Sequence, residues 1–241
     1  MSGSQGKTIV VTGAGSGIGR AVAVRFALEG WQVALVGRTD GTLRETVALL
    51  APEARPRSAT FVCDVSQAPD VAAMAAGVLA RFGTAAVLVN AAGINVPRRS
   101  LCELSLEDWH RVVDTNLNGA YYCIRAFLPS MREHRDGTIV NINSDVGKQA
   151  RDLAGPAYVT SKFGMTGLTQ QINAEERANG IRATSIFPRD VNTPLLDKRP
   201  QPPPPELRAR MLQPEDLAAC VWLAATLPSH AIVDEIVLST R

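Results

Sequence analysis

Seven short runs of apolar and β-branched residues recur along the chain, and segments long enough for helices separate most of them. The runs are TIVVTG (8–13), WQVALVG (31–37), TFVCDV (60–65), AAVLVN (85–90), GTIVNIN (137–143), IRATSIF (181–187) and IVDEIVL (232–238). Most are continuously apolar, which is typical of strands buried on both faces of a parallel sheet. The helical patterns between them cover Gly17 to Glu29, Thr42 to Leu50, Pro69 to Phe82, Leu106 to Arg132, Pro156 to Asn179 and Pro214 to Leu227.

This alternation predicts an α/β fold, a doubly wound seven-stranded parallel sheet flanked by helices on both faces. With 241 residues, of which 46% are hydrophobic, the chain can bury the core of one domain over 1–241; two domains are possible but not required. The net charge of +2, without a long basic block, argues against a nucleic-acid partner. No apolar stretch approaches the roughly 18 residues of a membrane helix, so we expect no membrane partner.

The ends of the chain and its cysteines indicate where the protein works. The N-terminal MSGSQG is polar and lacks the apolar core of a signal peptide. The four cysteines are scattered without a C-x-x-C pair, which favours reduced thiols over disulfides or a metal site: Cys63, Cys102, Cys123 and Cys220. We therefore expect a cytoplasmic protein without a metal.

The segment 192–213 interrupts the alternation of strands and helices. It follows the sixth predicted strand without an immediate helix and contains four consecutive prolines, Pro202 to Pro205. Prolines in series favour extended polyproline geometry, so the segment is a stiffened insertion. A surface loop is one reading, and a lid over a substrate crevice at the carboxyl edge of the sheet is the other.

The glycine-rich stretch TGAGSGIGR lies directly after the first predicted strand, at the start of a helix. Gly13, Gly17 and Gly19 form the pattern G-x-x-x-G-x-G, with Ser16 and Ile18 inside the same loop. Glycines there permit a tight turn and let backbone N–H groups approach a pyrophosphate at the helix N-terminus. The stretch therefore predicts a Rossmann-type dinucleotide site at these five residues, although a purely structural turn has the same composition.

The end of the second predicted strand indicates which dinucleotide binds. A carboxylate about 20 residues past the glycines would accept a ribose 2′-OH and select NAD. The chain instead has Gly37 followed by Arg38, which leaves space and positive charge for a 2′-phosphate. This predicts that NADP(H) is favoured over NAD(H), with Arg20 as a weaker second candidate. An ordinary solvated arginine at position 38 is the alternative.

Two further strand ends carry candidate contacts to the adenosine. Asp64 and Val65 end the third predicted strand, and Asn90, Ala91 and Gly93 end the fourth and begin its turn. A carboxylate could bind the adenine amino group, and small residues let backbone lie against the adenosine. Both clusters are also ordinary turn formers.

Tyr158 and Lys162 stand four residues apart on a predicted helix and share a face. An ammonium roughly 4 Å from a phenol, at an effective dielectric of about 20, favours the phenolate by ~4 kcal/mol. This would bring the tyrosine pKa from about 10 to near 7, where acid–base catalysis is efficient. Ser144, at the end of the fifth predicted strand, could hold a substrate oxygen. A helix surface pair is the alternative reading of the tyrosine and lysine.

Taken together, these motifs resemble the short-chain dehydrogenase/reductase family over nearly the full length. They are TGAGSGIG, Asp64, NAAG at 90–93, Asn116 in TNLNG, Ser144, and the pair Tyr158 and Lys162, in the family's order. The resemblance implies that Tyr158 exchanges a proton with a small-molecule carbonyl or alcohol, Ser144 polarises the carbonyl, and Lys162 lowers the tyrosine pKa and binds the nicotinamide ribose. It implies that Asn116 holds a water, that Pro188, Val191 and Thr193 line the nicotinamide side, and that the protein is a homodimer or homotetramer.

Two features depart from the family's pattern. Arg189 stands where the family usually has glycine; it could point outward, contact cofactor phosphates, attract an anionic substrate or strain the backbone. The C-terminus lacks the glycine-rich ending of many members. We expect the substrate pocket to be lined by Ile94, Asn95, Val146, Gln149, Leu195 and Leu196. The alternatives to an oxidoreductase are a non-catalytic NADP(H)-binding sensor and an epimerase or dehydratase of the extended branch.

Overall fold

Seven parallel strands form the centre of the computed structural model, which describes residues 6–241. They are β1 (Thr8–Thr12), β2 (Gln32–Gly37), β3 (Ser58–Val62), β4 (Val87–Asn90), β5 (Gly137–Ile142), β6 (Ile181–Pro188) and β7 (Glu235–Leu238), in the spatial order β3-β2-β1-β4-β5-β6-β7. This is the predicted doubly wound parallel sheet, and the fold class is confirmed. Residues 1–5, which the predicted domain and the N-terminal argument include, lie outside the described residues.

Helices cover both faces of the sheet. The main ones are α1 (Gly17–Leu28), α2 (Asp40–Leu49), α3 (Ala68–Phe82), α4 (Leu106–Val113), α5 (Gly119–His134), α6 (Pro156–Glu176), a short α7 (Pro205–Arg208) and α8 (Pro214–Thr226). Ile9 and Val11 of β1 pack into the layer of α1 and α8, whereas Val10 packs into the layer of α3, α5 and α6. Successive strand residues point to opposite faces, which explains why the strands are continuously apolar.

The two edge strands differ from their predicted bounds. β3 begins two residues earlier than the run 60–65 and ends before Cys63, and β7 covers only the last four residues of 232–238. Val62 and Val237 are each 60% exposed. An edge strand has one paired side, so solvent-facing residues interrupt the continuous burial that marks the central strands.

The predicted helix Leu106 to Arg132 is interrupted. A π-helical turn, Asp114–Asn118, separates α4 from α5. Such one-turn bulges accommodate an extra residue within a helix and occur frequently at functional sites. The interruption brings Asn116 inward, as described below.

The segment 192–213 forms a closed excursion from the edge of the sheet. The Asn192 N–H donates to the Leu212 carbonyl (2.8 Å), and the Leu212 N–H donates to the Asp190 carbonyl (3.2 Å). Between these anchored ends lie a 3-10 helix, Pro194–Lys198, and α7. Among residues 6–241, none of the helices combines the length and hydropathy that crossing a bilayer requires. All four cysteines fall within the described chain and are free thiols.

Candidate active site

A cavity of about 470 Å³ opens at the carboxyl edge of the sheet. Its walls come from the loops that follow β1, β4, β5 and β6 and from the first turns of α6. β1 and β4 are neighbours in the sheet although β2 and β3 separate them in sequence, so the winding reverses between them. Open α/β sheets bind ligands at such a switch point.

The glycine loop lines one end of this cavity through Gly13, Ser16, Gly17, Ile18 and Gly19. Gly13 and Gly17 have φ of +68° and +50°, a region that favours glycine. A Cβ at Gly13 would lie 2.9 Å from the Ala91 carbonyl oxygen, and a Cβ at Gly19 would clash with the Gly13 carbonyl. The irregular spacing of the glycines therefore follows from close backbone packing.

The start of α1 is suited to an anion. Ser16 is the N-cap residue in extended geometry, and its side chain makes no capping hydrogen bond with the described residues. The first-turn N–H groups of a helix are orphan donors at its positive end. Donors without a capping side chain, in a cradle that any Cβ would fill, fit the pyrophosphate of a dinucleotide.

Arg38, the residue expected to select the cofactor, is exposed immediately beyond β2. It does not line the cavity, which ends at the glycine loop. Arg20, the second candidate, is held in place: its Nε donates to the Thr46 hydroxyl (3.0 Å) and its Nη2 contacts Glu45 (3.0 Å). Of the two arginines, Arg38 is the one whose surroundings leave it available to a ligand.

Asp64 and Val65 follow β3, beside the end of β2, because Gly37 pairs with Val62 in the sheet. The Asp64 Oδ1 accepts hydrogen bonds from the Ser66 N–H (3.0 Å) and hydroxyl (2.8 Å). This carboxylate therefore stabilises its own turn with one oxygen. Neither residue lines the cavity.

The turn after β4 is fastened to β1. The Thr12 hydroxyl accepts from the N–H groups of Ala91 and Ala92, each at 3.1 Å, and Ala91 and Gly93 line the cavity. Asn90 points elsewhere: its Nδ2 donates to Asn141 Oδ1 (2.9 Å) in the sheet core. The turn's backbone, and not the Asn90 side chain, faces the cavity.

Ser144, Tyr158 and Lys162 all line the cavity. Lys162 is 3% exposed, its Nζ donates to the Ile142 carbonyl (2.8 Å), and Nζ lies 5.6 Å from the centroid of the Tyr158 ring. The structure thus brings together the three residues that the sequence places on β5 and α6.

The protonation of this group differs from the expectation. Burial raises the pKa of the Tyr158 phenol to about 12, and the nearby Ser144 hydroxyl offsets only part of this. Burial also lowers the pKa of Lys162 to about 8. The expected tyrosine pKa near 7 is wrong for this structure, because desolvation of the phenolate is the largest effect on the phenol and raises its pKa. A protonated phenol is the form that donates a proton.

Asn143 and Thr166 hold Ser144 in position, and neither residue was identified from the sequence. Asn143 accepts from the Ser144 N–H (3.0 Å) and donates to Thr166 Oγ1 (2.9 Å) on α6. The Thr166 hydroxyl in turn donates to the Gly147 carbonyl (3.0 Å). The loop after β5 is therefore held against the helix that carries Tyr158. The only sequence signal was the polar Asn143 in the apolar run GTIVNIN.

Asn116 is fully buried at the π-helical turn. Its Oδ1 accepts from the Ile94 N–H (2.8 Å), and its Nδ2 donates to the Ile94 carbonyl (3.0 Å) and to Ser161 Oγ (3.2 Å). It thereby joins the turn after β4 to α6. Asn116 does not line the cavity, and the contacts described here join it to other parts of the protein; its role in holding a water stays a prediction.

The loop after β6 closes the side of the cavity through Pro188, Arg189, Asp190, Val191 and Thr193. Among residues 6–241 the one non-glycine residue with positive φ is Arg135, so the suggested backbone strain at Arg189 is wrong. Its Nε lies 3.8 Å from Asp145 Oδ2, and its side chain is half-exposed. Arginine at this position lines the cavity and lies beside a carboxylate.

Five of the six residues expected around the substrate line the cavity: Ile94, Asn95, Val146, Leu195 and Leu196. Gln149 is exposed and does not. The 3-10 helix Pro194–Lys198 forms one wall, as a lid would. Three arginines from separate loops also lie in the cavity walls, and they were not identified from the sequence: Arg99, Arg151 and Arg199.

Comparisons with known proteins match most of the chain. The family model described as short chain dehydrogenase matches residues 7–203. The chain is 38% identical over 192 residues to a 3beta-hydroxysteroid dehydrogenase of Mediterraneibacter gnavus, covering 80% of this chain and 68% of that protein. It is 36% identical over 198 residues to a 2-dehydro-3-deoxy-L-rhamnonate dehydrogenase (NAD(+)) of Sphingomonas sp., covering 81% and 76%.

A solved structure is similar over almost the whole fold. A metagenomic short-chain oxidoreductase in complex with NADP superposes with a TM-score of 0.82 at 32% identity, covering 97% of both chains. The relatives are thus dehydrogenases and oxidoreductases by name. One name specifies NAD(+) and another NADP, and the substrates named are a steroid and a sugar acid.

Proposed function

This chain belongs to the short chain dehydrogenase family, and from that premise we propose that it is an NADP(H)-dependent oxidoreductase that interconverts a ketone or aldehyde and an alcohol. One observation carries the proposal. The partly buried, protonated phenol of Tyr158 shares a cavity with Ser144, Lys162 and a glycine cradle suited to a pyrophosphate. A sensor has no need for a proton donor next to its cofactor, and no observation favours that alternative.

Each residue has a role in this proposal. Tyr158 donates its phenolic proton to the carbonyl oxygen in reduction and accepts it in oxidation. Ser144, whose hydroxyl lies near that phenol, donates a hydrogen bond to the same oxygen and so stabilises the charge that develops on it. A bound nicotinamide supplies or accepts the hydride.

Lys162 is the third residue of the proposed catalytic group, beside Tyr158 and Ser144. Its ammonium donates to the Ile142 carbonyl, which holds it at the wall of the cavity near Tyr158. We propose that it binds the nicotinamide ribose and favours the phenolate when the proton has left, with Asn116 holding the turn that carries Ile94 in place.

The preference for NADP(H) rests on Gly37 and Arg38. Arg38 is exposed at the end of β2, next to the loop that would hold the pyrophosphate, and no side chain at position 37 obstructs a 2′-phosphate. The predicted contacts of Asp64, Val65 and Asn90 with the adenosine remain proposals of the same kind; Asn90 would contribute through its backbone.

We also propose a single domain with 192–213 as its lid, a cytoplasmic location, and a homodimer or homotetramer that pairs α4, α5 and α6. Exposed apolar side chains on these helices support the pairing: Leu106, Tyr121 and Phe163.

Absorbance of the reduced nicotinamide tests the function directly. The purified protein is mixed with NADPH or NADH and a panel of neutral and anionic ketones. We expect at least one ketone to be reduced, faster with NADPH. Tight NADPH binding without turnover of any ketone, or of any alcohol in the reverse assay, would instead establish the sensor.

A further inference from the structure

Arg99 is an unusual residue for a cavity wall. It is 8% exposed, and its Nη2 donates to the Lys198 carbonyl oxygen (2.6 Å). Its Nε is buried and has no hydrogen-bond partner in the part of the chain that the structure describes. Burial lowers the pKa of Arg99, with nearby Arg199 adding to the effect. A buried cation in this state is costly unless an anion pairs with it.

The carboxylates around the cavity are already engaged. Asp145 contacts Arg151 and lies 3.8 Å from the Arg189 Nε, and Asp190 pairs with Arg199. Within residues 6–241, no carboxylate lies within 4.0 Å of the Arg99 guanidinium. Arg99 therefore keeps an uncompensated positive charge next to the cavity.

Arg99 sits at the substrate end of the cavity and not at the cofactor end. The 3-10 helix Pro194–Lys198 runs from the cofactor end to the substrate end. A Cβ at Gly17 would touch Thr193, the residue before this helix, whereas the Lys198 carbonyl at the far end of the helix accepts a hydrogen bond from Arg99. Five residues of 3-10 helix extend roughly 10 Å.

The base of the Arg99 side chain is also held close to the helix turn that carries the proton donor. Arg99 packs against Gly155, where an added Cβ would lie 2.9 Å from the Arg99 Cβ, and Gly155 directly precedes α6 with φ of +77°. Tyr158 is on the first turn of that helix. Arg99 and Arg199 are near enough to lower the pKa of the phenol. Glycine at 155 thus leaves room for Arg99 beside the catalytic turn.

We propose that the substrate is a keto acid or hydroxy acid whose carboxylate Arg99 binds while Tyr158 contacts the reacting oxygen; this rests on the proposed oxidoreductase function. A carboxylate fits the planar fork of a guanidinium through two parallel hydrogen bonds. One uncompensated cation suits a monoanion better than a phosphate. The cavity of about 470 Å³ also includes the glycine-loop end, so only part of this volume is left for the acid.

Arg99→Met and Arg98→Met form a matched pair for the test. The two arginines are adjacent and the substitutions remove the same charge, but Arg98 is exposed and does not line the cavity. Short keto acids are compared with their primary amides, which keep the shape and lose the charge, as kcat/KM with saturating NADPH. Arg99→Lys, which keeps the charge but not the fork, serves as a second variant if Arg99→Met does not fold.

We expect the wild type and Arg98→Met to prefer a keto acid over its amide. Arg99→Met should lose about 10- to 100-fold in kcat/KM for the acid and change little for the amide, with Arg99→Lys in between. Equal losses for acid and amide, or no preference in the wild type, would overturn the carboxylate site and leave Arg99 as a structural cap of Lys198. Failure of every ketone, neutral ones included, would instead refute the proposed function.

Discussion

The two ends of the cavity are built by different means. The cofactor end consists of backbone and space: Gly13, Gly17 and Gly19 are there because a Cβ would not fit or would be strained. The substrate end includes charged side chains from the three loops that follow β4, β5 and β6, among them Arg99, Arg151 and Arg199. The first arrangement suits a ligand that a whole family shares, and the second can change with each substrate while the fold stays the same.

The largest expected effect is the loss of activity when Tyr158, which lies between the cofactor end and the substrate end, is replaced. Tyr158→Phe should reduce kcat/KM by about 10²–10⁴-fold, because the proton donor is lost while the ring remains. NADPH affinity, measured by fluorescence titration, should be unchanged because the glycine loop is untouched. Tyr121→Phe makes the same change on α5, outside the cavity, and is the control that should keep its turnover. Substantial turnover by Tyr158→Phe would refute the mechanism.

Arg38→Asp tests whether a single side chain determines the preference for NADPH over NADH at the cofactor end, which is otherwise formed by backbone. Loss of a charge-assisted contact should lower the NADPH to NADH ratio of kcat/KM by about 10- to 100-fold. Steady-state kinetics with both cofactors measures it. An unchanged ratio would mean that Arg38 is an ordinary surface arginine.

Gly19→Ala and Gly41→Ala separate crowding from helix propensity. The added methyl at position 19 would clash with the Gly13 carbonyl, so the free energy of unfolding should fall by about 1–3 kcal/mol and NADPH should bind more weakly. At Gly41, in the first turn of α2, a Cβ would have no atom within 4 Å, and alanine should stabilise by roughly 0.5–1 kcal/mol. Urea unfolding measures both. Equal effects at the two glycines would contradict the packing argument.

Lys162→Met tests the electrostatics of the substrate end through the stability of the protein. The lysine pKa is about 8 in the folded protein and 10.5 when unperturbed, so between those values the unfolded chain binds more protons and stability rises with pH. The tyrosine, raised to about 12, holds its proton over the same range in the folded state. Removing the ammonium should stabilise the inactive variant by about 1–2 kcal/mol at pH 7.

This advantage should shrink as the pH approaches 10, because the wild-type lysine then loses its charge. Thermal unfolding of both proteins from pH 7 to 10 measures the gap. A gap independent of pH would mean that Lys162 is not destabilised by burial.

The same difference between the cofactor end and the substrate end explains how much of each could be predicted from the sequence. The glycine loop, Tyr158 and Lys162 are local patterns, so their place in the fold and their common cavity could be predicted from spacing. Arg99 and Arg199 are a hundred residues apart, and only the folded loops bring them together. The prediction of the Tyr158 pKa was wrong because spacing on a helix says nothing about burial, which here has the largest effect on the phenol.

The π-helical turn at Asp114–Asn118 has a consequence for how this chain can evolve. Adding or removing one residue in a helix rotates everything beyond it by about 100°. A single deletion near Asn116 would therefore either straighten the turn and withdraw its amide from Ile94, or carry the buried Cys123, Phe127 and Met131 of α5 away from the sheet. We expect lineages descended from this chain to vary in length at 192–213, whose ends are pinned to each other, and to keep a constant number of residues between Leu106 and His134.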